Sequence, residues 1–221
     1  VTATATAAAL SFDAERHEYR LDDGRIVPSV TQVLHAVGIA TDFEAIAAKS
    51  SKLAEAIEFR RALGTAVHAD CHAYDDNDIE WDAVDERVHP YVEAWAMYRK
   101  NAGLTPIARE RRIFLPALHV AGTLDGVFEN TRGRLVLVDI KLGDPEDAGA
   151  AFQTAAYEAG YLLDHPDRPI EERWAVRLQP ERAIPYSVTN YSGRPQSWRD
   201  FQIFQAAVSV YGAQAARRSQ R

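Results

Sequence analysis

Leu135-Val136-Leu137-Val138-Asp139-Ile140-Lys141-Leu142 is the stretch on which the reading of this chain turns. Its first half is apolar at every position, so neither face suits contact with water. A strand of that kind belongs in the middle of a sheet with both faces covered. Asp139 and Lys141 then stand two residues apart and share one face. Desolvating an acid and an amine is costly and is a poor route to stability. The pair is therefore an internal ion pair, a strand end emerging into water, or part of a chemical site.

The preceding segment, Val120-Ala121-Gly122-Thr123-Leu124-Asp125-Gly126-Val127, reads as the partner strand. A tight loop over Thr131-Arg132-Gly133, with Gly133 supplying a positive φ, sets Asn130 opposite Arg134. Counting back from that loop puts Asp125 opposite Asp139. Directly opposed residues have Cβ atoms about 4.5–5.5 Å apart. Two carboxylates that close repel each other unless a proton or a cation lies between them. A slip of one residue in the loop turns Asp125 to the other face. Oxygen ligands of this type suit Mg²⁺ or Mn²⁺. Such an ion polarises a phosphoryl oxygen and lowers the pKa of a bound water. A neighbouring lysine orients that water or stabilises charge developing on the phosphate.

The rest of the chain frames this site. At 221 residues, with 47% hydrophobic and 26% charged residues, it is long enough for a real core, and residues 1–221 read as one domain. The single cysteine, Cys71, excludes an intramolecular disulfide framework and any four-cysteine zinc or iron–sulfur site within the chain. No apolar run reaches the ~18–20 residues of a membrane span. The Ala/Thr-rich start has no secretory pattern, so the expectation is a cytoplasmic protein, or one of the host cytoplasm if phage-encoded. A net charge of −7 argues against a passive nucleic-acid coat. A bound cation brings its own positive charge, so composition does not exclude a metal-dependent enzyme.

Residues 1–9 are expected to be loosely ordered. Phe12 to Val27 reads as a short hairpin turning at Asp22-Asp23-Gly24. Ser29-Val30-Thr31-Gln32 is a capping-box pattern that opens a short helix ending near Gly38. Helix is expected over residues 43 to 74, with Gly64 marking a break or a close approach. Further helices are expected over 82–100, with Tyr91, Trp95 and Tyr98 at helical spacing, over 147–163, and over 197–217. Three strands fit 105–142, and two more fit 173–178 and 184–189. The fold class is mixed α/β: a central mixed β-sheet flanked by helices.

Asp125 followed by Asp139-Ile140-Lys141 resembles the core of the PD-(D/E)XK nuclease superfamily. Gly64-Thr65-Ala66-Val67-His68 is similar to the Gly-x-x-x-His motif of its RecB-type branch, and Gln153-Thr154-Ala155-Ala156-Tyr157 to that branch's Gln-x-x-x-Tyr motif. Pro28 to Leu34 resembles phage-type members. The motifs fall in the family's order over roughly residues 28–157, and the last sixty or so residues do not align. The resemblance implies a restriction-endonuclease-like core and a metal-dependent DNA nuclease, an exonuclease acting in recombination, repair or end processing. It makes His68, Asp125, Asp139 and the Ile140 carbonyl metal ligands and Lys141 the catalytic lysine. Gln153 and Tyr157 would line the site. It also implies DNA, and a recombinase, annealing protein or helicase, as partners, and a homo-oligomer as one possible state. Leu124 stands where the family's leading proline would be. With one cysteine, the iron–sulfur subtype is excluded, and no phosphate-binding loop motif of a helicase is present.

Other residues carry secondary readings. Glu110, on the first central strand, would help bind a second metal or position water; its alternative is a surface ion pair. Arg60, Arg61, Arg109, Arg111 and Arg112 are the candidates for phosphate contacts, each with a solvated alternative. His72, Asp70 and Asp75 read as a solvated face, and the four tryptophans read as mostly core. Two other functions compete with the nuclease. One is a catalytically idle DNA- or protein-binding module of the same fold, and the other is a phosphoesterase acting on small nucleotides.

Overall fold

The computed structural model describes residues 10–14, 16–41, 46–142 and 149–218. In chain order the elements are β1 (Leu10–Asp13), β2 (Glu18–Leu21), β3 (Ile26–Val27), α1 (Val30–Ala36), α2 (Ser51–Asp75), α3 (His89–Ala102), β4 (Thr105–Leu115), β5 (Val120–Glu129), β6 (Leu135–Lys141), α4 (Gly149–Asp164), β7 (Glu172–Leu178), β8 (Tyr186–Asn190) and α5 (Arg194–Arg218). The expectation for residues 1–9 lies outside the described residues, as do residues 43–45 and 147–148 of the expected helices.

Strand β6 is buried from Leu135 to Ile140, and only Lys141 begins to emerge. It pairs antiparallel with β5 and parallel with β7, so both of its edges are covered. The central sheet runs β4-β5-β6-β7-β8. Only the β6–β7 pair is parallel, and the connection between them carries helix α4, as a parallel crossover requires. Helices cover both faces, which is the mixed α+β arrangement expected from the sequence. Leu124, Val127 and Leu137 pack with Val30, Val33, Ala156 and Phe204 of α1, α4 and α5. Val136, Val138 and Ile140 pack on the other face with Val67, Val92, Trp95 and Tyr98 of α2 and α3.

The β5–β6 register is the one derived from the loop. Gly126 pairs with Val138 and Glu129 with Leu135. Gly133 has φ +74, and the Asn130 side chain accepts from the Arg132 and Arg134 amides at 2.9 and 3.1 Å. The ladder stops at Gly126–Val138, so the pairing ends one step short of Asp125 and Asp139. Leu124 and Val127, three residues apart, lie in the same core. Strand β5 therefore breaks its two-residue alternation at Asp125-Gly126. On β4, Arg109 pairs with Gly126 and Arg111 with Leu124, leaving Glu110 opposite Asp125. Glu110 has φ +44, a left-handed conformation that costs a non-glycine residue about 1–3 kcal/mol.

Several expectations change. The N-terminal hairpin turns where predicted but gains a further strand, giving a three-stranded sheet β1-β2-β3. The capping box is present: Ser29 Oγ accepts from the Gln32 amide at 3.0 Å, and Gln32 Oε1 accepts from the Ser29 amide at 2.8 Å. The third helix starts at His89, because residues 81–83 form a separate 3₁₀ turn. Gly64 breaks nothing, since α2 runs straight through it. Trp95 is fully buried, whereas Trp198 is 67% exposed and Trp81 37%.

His72 and Asp75 are buried rather than solvated. Asp75 accepts from Arg99 Nε at 2.6 Å, and Arg99 also donates to the Leu104 carbonyl at 2.8 Å. That pair docks α2 onto α3. A second buried arginine, Arg173 on β7, is held from every side. It donates to the Ala151 and Tyr191 carbonyls, to Thr154 and Ser197, and to Asp200 at 2.8 Å, with Glu158 at 3.1 Å. It ties β7 to α4 and α5. Cys71 is also buried, one turn past Val67 on α2, and burial pushes its thiol well up.

Candidate active site

The fork between β5 and β6 gathers most of the residues singled out by sequence. Asp125 spans the gap: its Oδ2 accepts from the Ile140 amide at 2.7 Å, replacing a ladder bond. Its Oδ1 lies 3.3 Å from His68 Nδ1 of α2. Across the fork, Asp139 Oδ2 lies 2.8 Å from Lys141 Nζ, the same-face pairing expected of residues two apart on a strand. Lys141 Nζ also donates to Gln153 Oε1 at 2.8 Å, and Gln153 Nε2 donates to Tyr157 Oη at 3.0 Å. Gln153 and Tyr157 share one face of α4. The Tyr157 ring lies so close to Gly122 of β5 that a Cβ there would meet it at 2.7 Å. The absence of a side chain at Gly122 is what lets α4 bring its polar pair to the strand fork. The site thus draws His68 from one helical layer and Gln153 and Tyr157 from the other.

The charges in this cluster oppose and support each other. Burial pushes Asp139 up, Lys141 pulls it down and the Asp125 charge pushes it up again, leaving it at about 6. Burial also acts to raise Asp125, but His68, Lys141 and the Ile140 amide together hold it below the usual carboxylate range. Burial acts to lower His68, and the Asp125 carboxylate outweighs it, so the imidazole is raised. The two acids therefore differ, Asp125 being the firmly ionised one.

These donors fit a hard divalent cation. Two carboxylates and a backbone carbonyl at Ile140 are all oxygen, and Mg²⁺ takes one or two carboxylates while keeping several waters. Burial raises Asp139 most and the Asp125 charge adds to it, and a bound cation offsets both. Among the described residues, no group of three or more His, Cys, Asp or Glu side chains is spaced to hold a metal ion. The fit is thus to a carboxylate pair with carbonyl and water, not to a closed site of protein side chains.

The other predicted residues lie elsewhere. Glu110 is 67% exposed and turns to His72 Nδ1, 3.2 Å away, rather than to the carboxylates. Arg109 pairs with Asp76, Arg111 lies 4.0 Å from Asp164, and Arg112 Nη1 donates to the Leu10 carbonyl at 3.4 Å. Arg60 and Arg61 stand exposed on α2. His72, expected on a solvated face, is instead buried one turn past His68, with the two rings in edge contact and their centroids 6.3 Å apart.

No protein-family profile matches the chain. No curated protein sequence matches it either. Among solved structures it is similar to the crystal structure of SSO0001, at 12% identity and a TM-score of 0.42, covering 82% of this chain and 75% of that one. A likeness at that level bears on neither site nor activity. No helix among the described residues is long and apolar enough to cross a membrane.

Proposed function

We propose that the chain is a divalent-metal-dependent deoxyribonuclease of the PD-(D/E)XK type, of the RecB and phage exonuclease branch. The observation that carries this reading is the fork: Asp125 accepts from the Ile140 amide, next in chain to Asp139, and Lys141 is tethered between Asp139 and Gln153. Asp125, Asp139 and the Ile140 carbonyl would hold Mg²⁺ or Mn²⁺, with His68 beside Asp125 completing or orienting the set. A bound ion of this kind supplies Lewis acidity toward a phosphodiester and a more acidic water. Lys141 carries its charge on an arm fixed by two contacts. It is therefore pre-organised to donate to a phosphate oxygen or to the attacking water, at no cost of reorganisation. Gln153 holds Lys141 through its carbonyl and is itself held by Tyr157. The Ile140 amide fixes the rotamer of Asp125.

The test uses linear duplex, linear single-stranded and closed circular DNA with Mg²⁺, Mn²⁺ or EDTA, beside Lys141→Ala. Metal-dependent loss of linear DNA alone, absent in the variant, is the expected result. Nicked circles would make the enzyme an endonuclease. Full activity in Lys141→Ala would overturn the assignment of the site.

A second reading is a catalytically idle module that binds DNA or a partner protein. It is favoured by one observation: no set of three metal-ligating side chains gathers among the described residues. Calorimetric titration with Mn²⁺ separates the two. Heat of binding that disappears in Asp125→Ala supports the nuclease, and no heat in either protein supports the module.

A further inference from the structure

Helix α2 carries a glycine for which the fold itself gives no reason. Gly64 sits mid-helix, where glycine is among the least favourable residues. Its φ is not in the left-handed region, so no turn requires it. Tight packing does not require it either. At Gly122 a side chain would collide with Tyr157, but at Gly64 no described atom lies within 4 Å of the place a Cβ would take. Gly64 is half-buried, with open space where a side chain would stand.

The surroundings of that open position are specific. Gly64 precedes His68 by four residues, one turn on the same face and about 6 Å along the axis. His68 touches Asp125 at the fork. Arg61 lies three residues before Gly64, one turn further out on that face. It is exposed, and its acidic neighbour Glu58 is only loosely engaged at 3.8 Å. The Thr65 hydroxyl is turned away, donating to the Arg61 carbonyl at 3.2 Å. A bare backbone surface thus separates a guanidinium held only by a long, exposed ion pair from the candidate catalytic centre. Glycine is the residue that allows another backbone to approach this closely.

We propose that Gly64 is the point where the substrate strand crosses helix α2. One phosphate would lie at the Asp125–Asp139 fork, the sugar–phosphate chain would pass over Gly64, and a neighbouring phosphate would reach Arg61. This inference rests on the nuclease reading and names the path of its polymeric substrate. It makes Gly64 a specificity-determining position for polynucleotide over small phosphodiesters.

Gly64→Ala and Gly64→Leu test it, because the fold and the path call for opposite outcomes. Both replacements favour helix, and Gly64→Ala should raise the melting temperature by about 2–4 °C. The path requires that they also weaken DNA binding. Fluorescence anisotropy with labelled single-stranded and duplex oligonucleotides in EDTA should show affinity falling in the order glycine, alanine, leucine. Gly64→Leu should lose about tenfold or more. In Mn²⁺, the ratio of DNA cleavage to bis(p-nitrophenyl) phosphate hydrolysis should fall in the same order. If both variants melt higher and keep wild-type affinity and ratio, the path is wrong while the nuclease reading stands. If the wild type neither binds nor cleaves DNA, both fail together.

Discussion

Two buried charge clusters hang from neighbouring strands, and they are built in opposite ways. Around Arg173 on β7, one cation meets two acids, Asp200 and Glu158, and its remaining donors are taken by carbonyls and hydroxyls. The Arg173 side chain is 1% exposed. At the β5–β6 fork, an amine pairs with Asp139 and acts on Asp125 only through its charge, and the amine is a lysine that remains 21% exposed. Burial there, with the Asp125 charge adding to it, leaves Asp139 at about 6. A guanidinium with five fixed donors saturates its surroundings and locks three elements together. A lysine between crowded carboxylates leaves attraction for a cation or phosphate unspent. The first cluster holds the fold; the second has the makings of a reactive site.

The comparison breaks if the two clusters respond alike to mutation. Arg173→Ala strands two buried acids and should cost about 3–5 kcal/mol. Thermal unfolding should register a fall of roughly 10 °C. A fall of only a degree or two would mean that the cluster is not what joins β7 to α4 and α5. Lys141→Ala should instead leave the melting temperature nearly unchanged, since Asp139 can take up a proton. Cleavage of linear DNA should drop about 10²–10³-fold, as single-turnover kinetics would show. Gln153→Ala removes the hydrogen bond that Lys141 makes to α4 without touching the carboxylates. It should lower kcat about ten- to a hundredfold, with Mn²⁺ affinity by calorimetry kept. Ser29→Ala touches neither cluster. Loss of its cap on α1 should cost about 1 kcal/mol and leave DNA cleavage as in the wild type.

The elements governed by local chemistry were open to reading from the chain. The β5–β6 register follows from Asn130 and Gly133, whose loop closes on itself by hydrogen bonds among neighbours. Continued one step past its last pair, Gly126–Val138, that register sets Asp125 level with Asp139. The Ser29–Gln32 box is likewise complete within four residues. What escaped depends on partners remote in sequence. Asp75 and His72 look like a polar helix face until Arg99 and Glu110 arrive from α3 and β4. The left-handed backbone at Glu110 has no signature in residue type, because glutamate is an unusual occupant of that region. It turns the side chain toward His72 and away from the fork. Trp198 follows the default for its type into the core in expectation, but α5 buries only Asp200, Phe204 and Ala207.

The sole thiol of the chain supplies a built-in timer. Cys71 lies one turn beyond His68, in the interface by which α2 rests against the sheet. A thiol that is buried and held protonated scarcely reacts with alkylating reagents. Modification must await moments when α2 lifts, so its rate counts those excursions directly. Slower alkylation in the presence of Mn²⁺ or an oligonucleotide would show that occupancy at the fork clamps the helix, with no engineered label required.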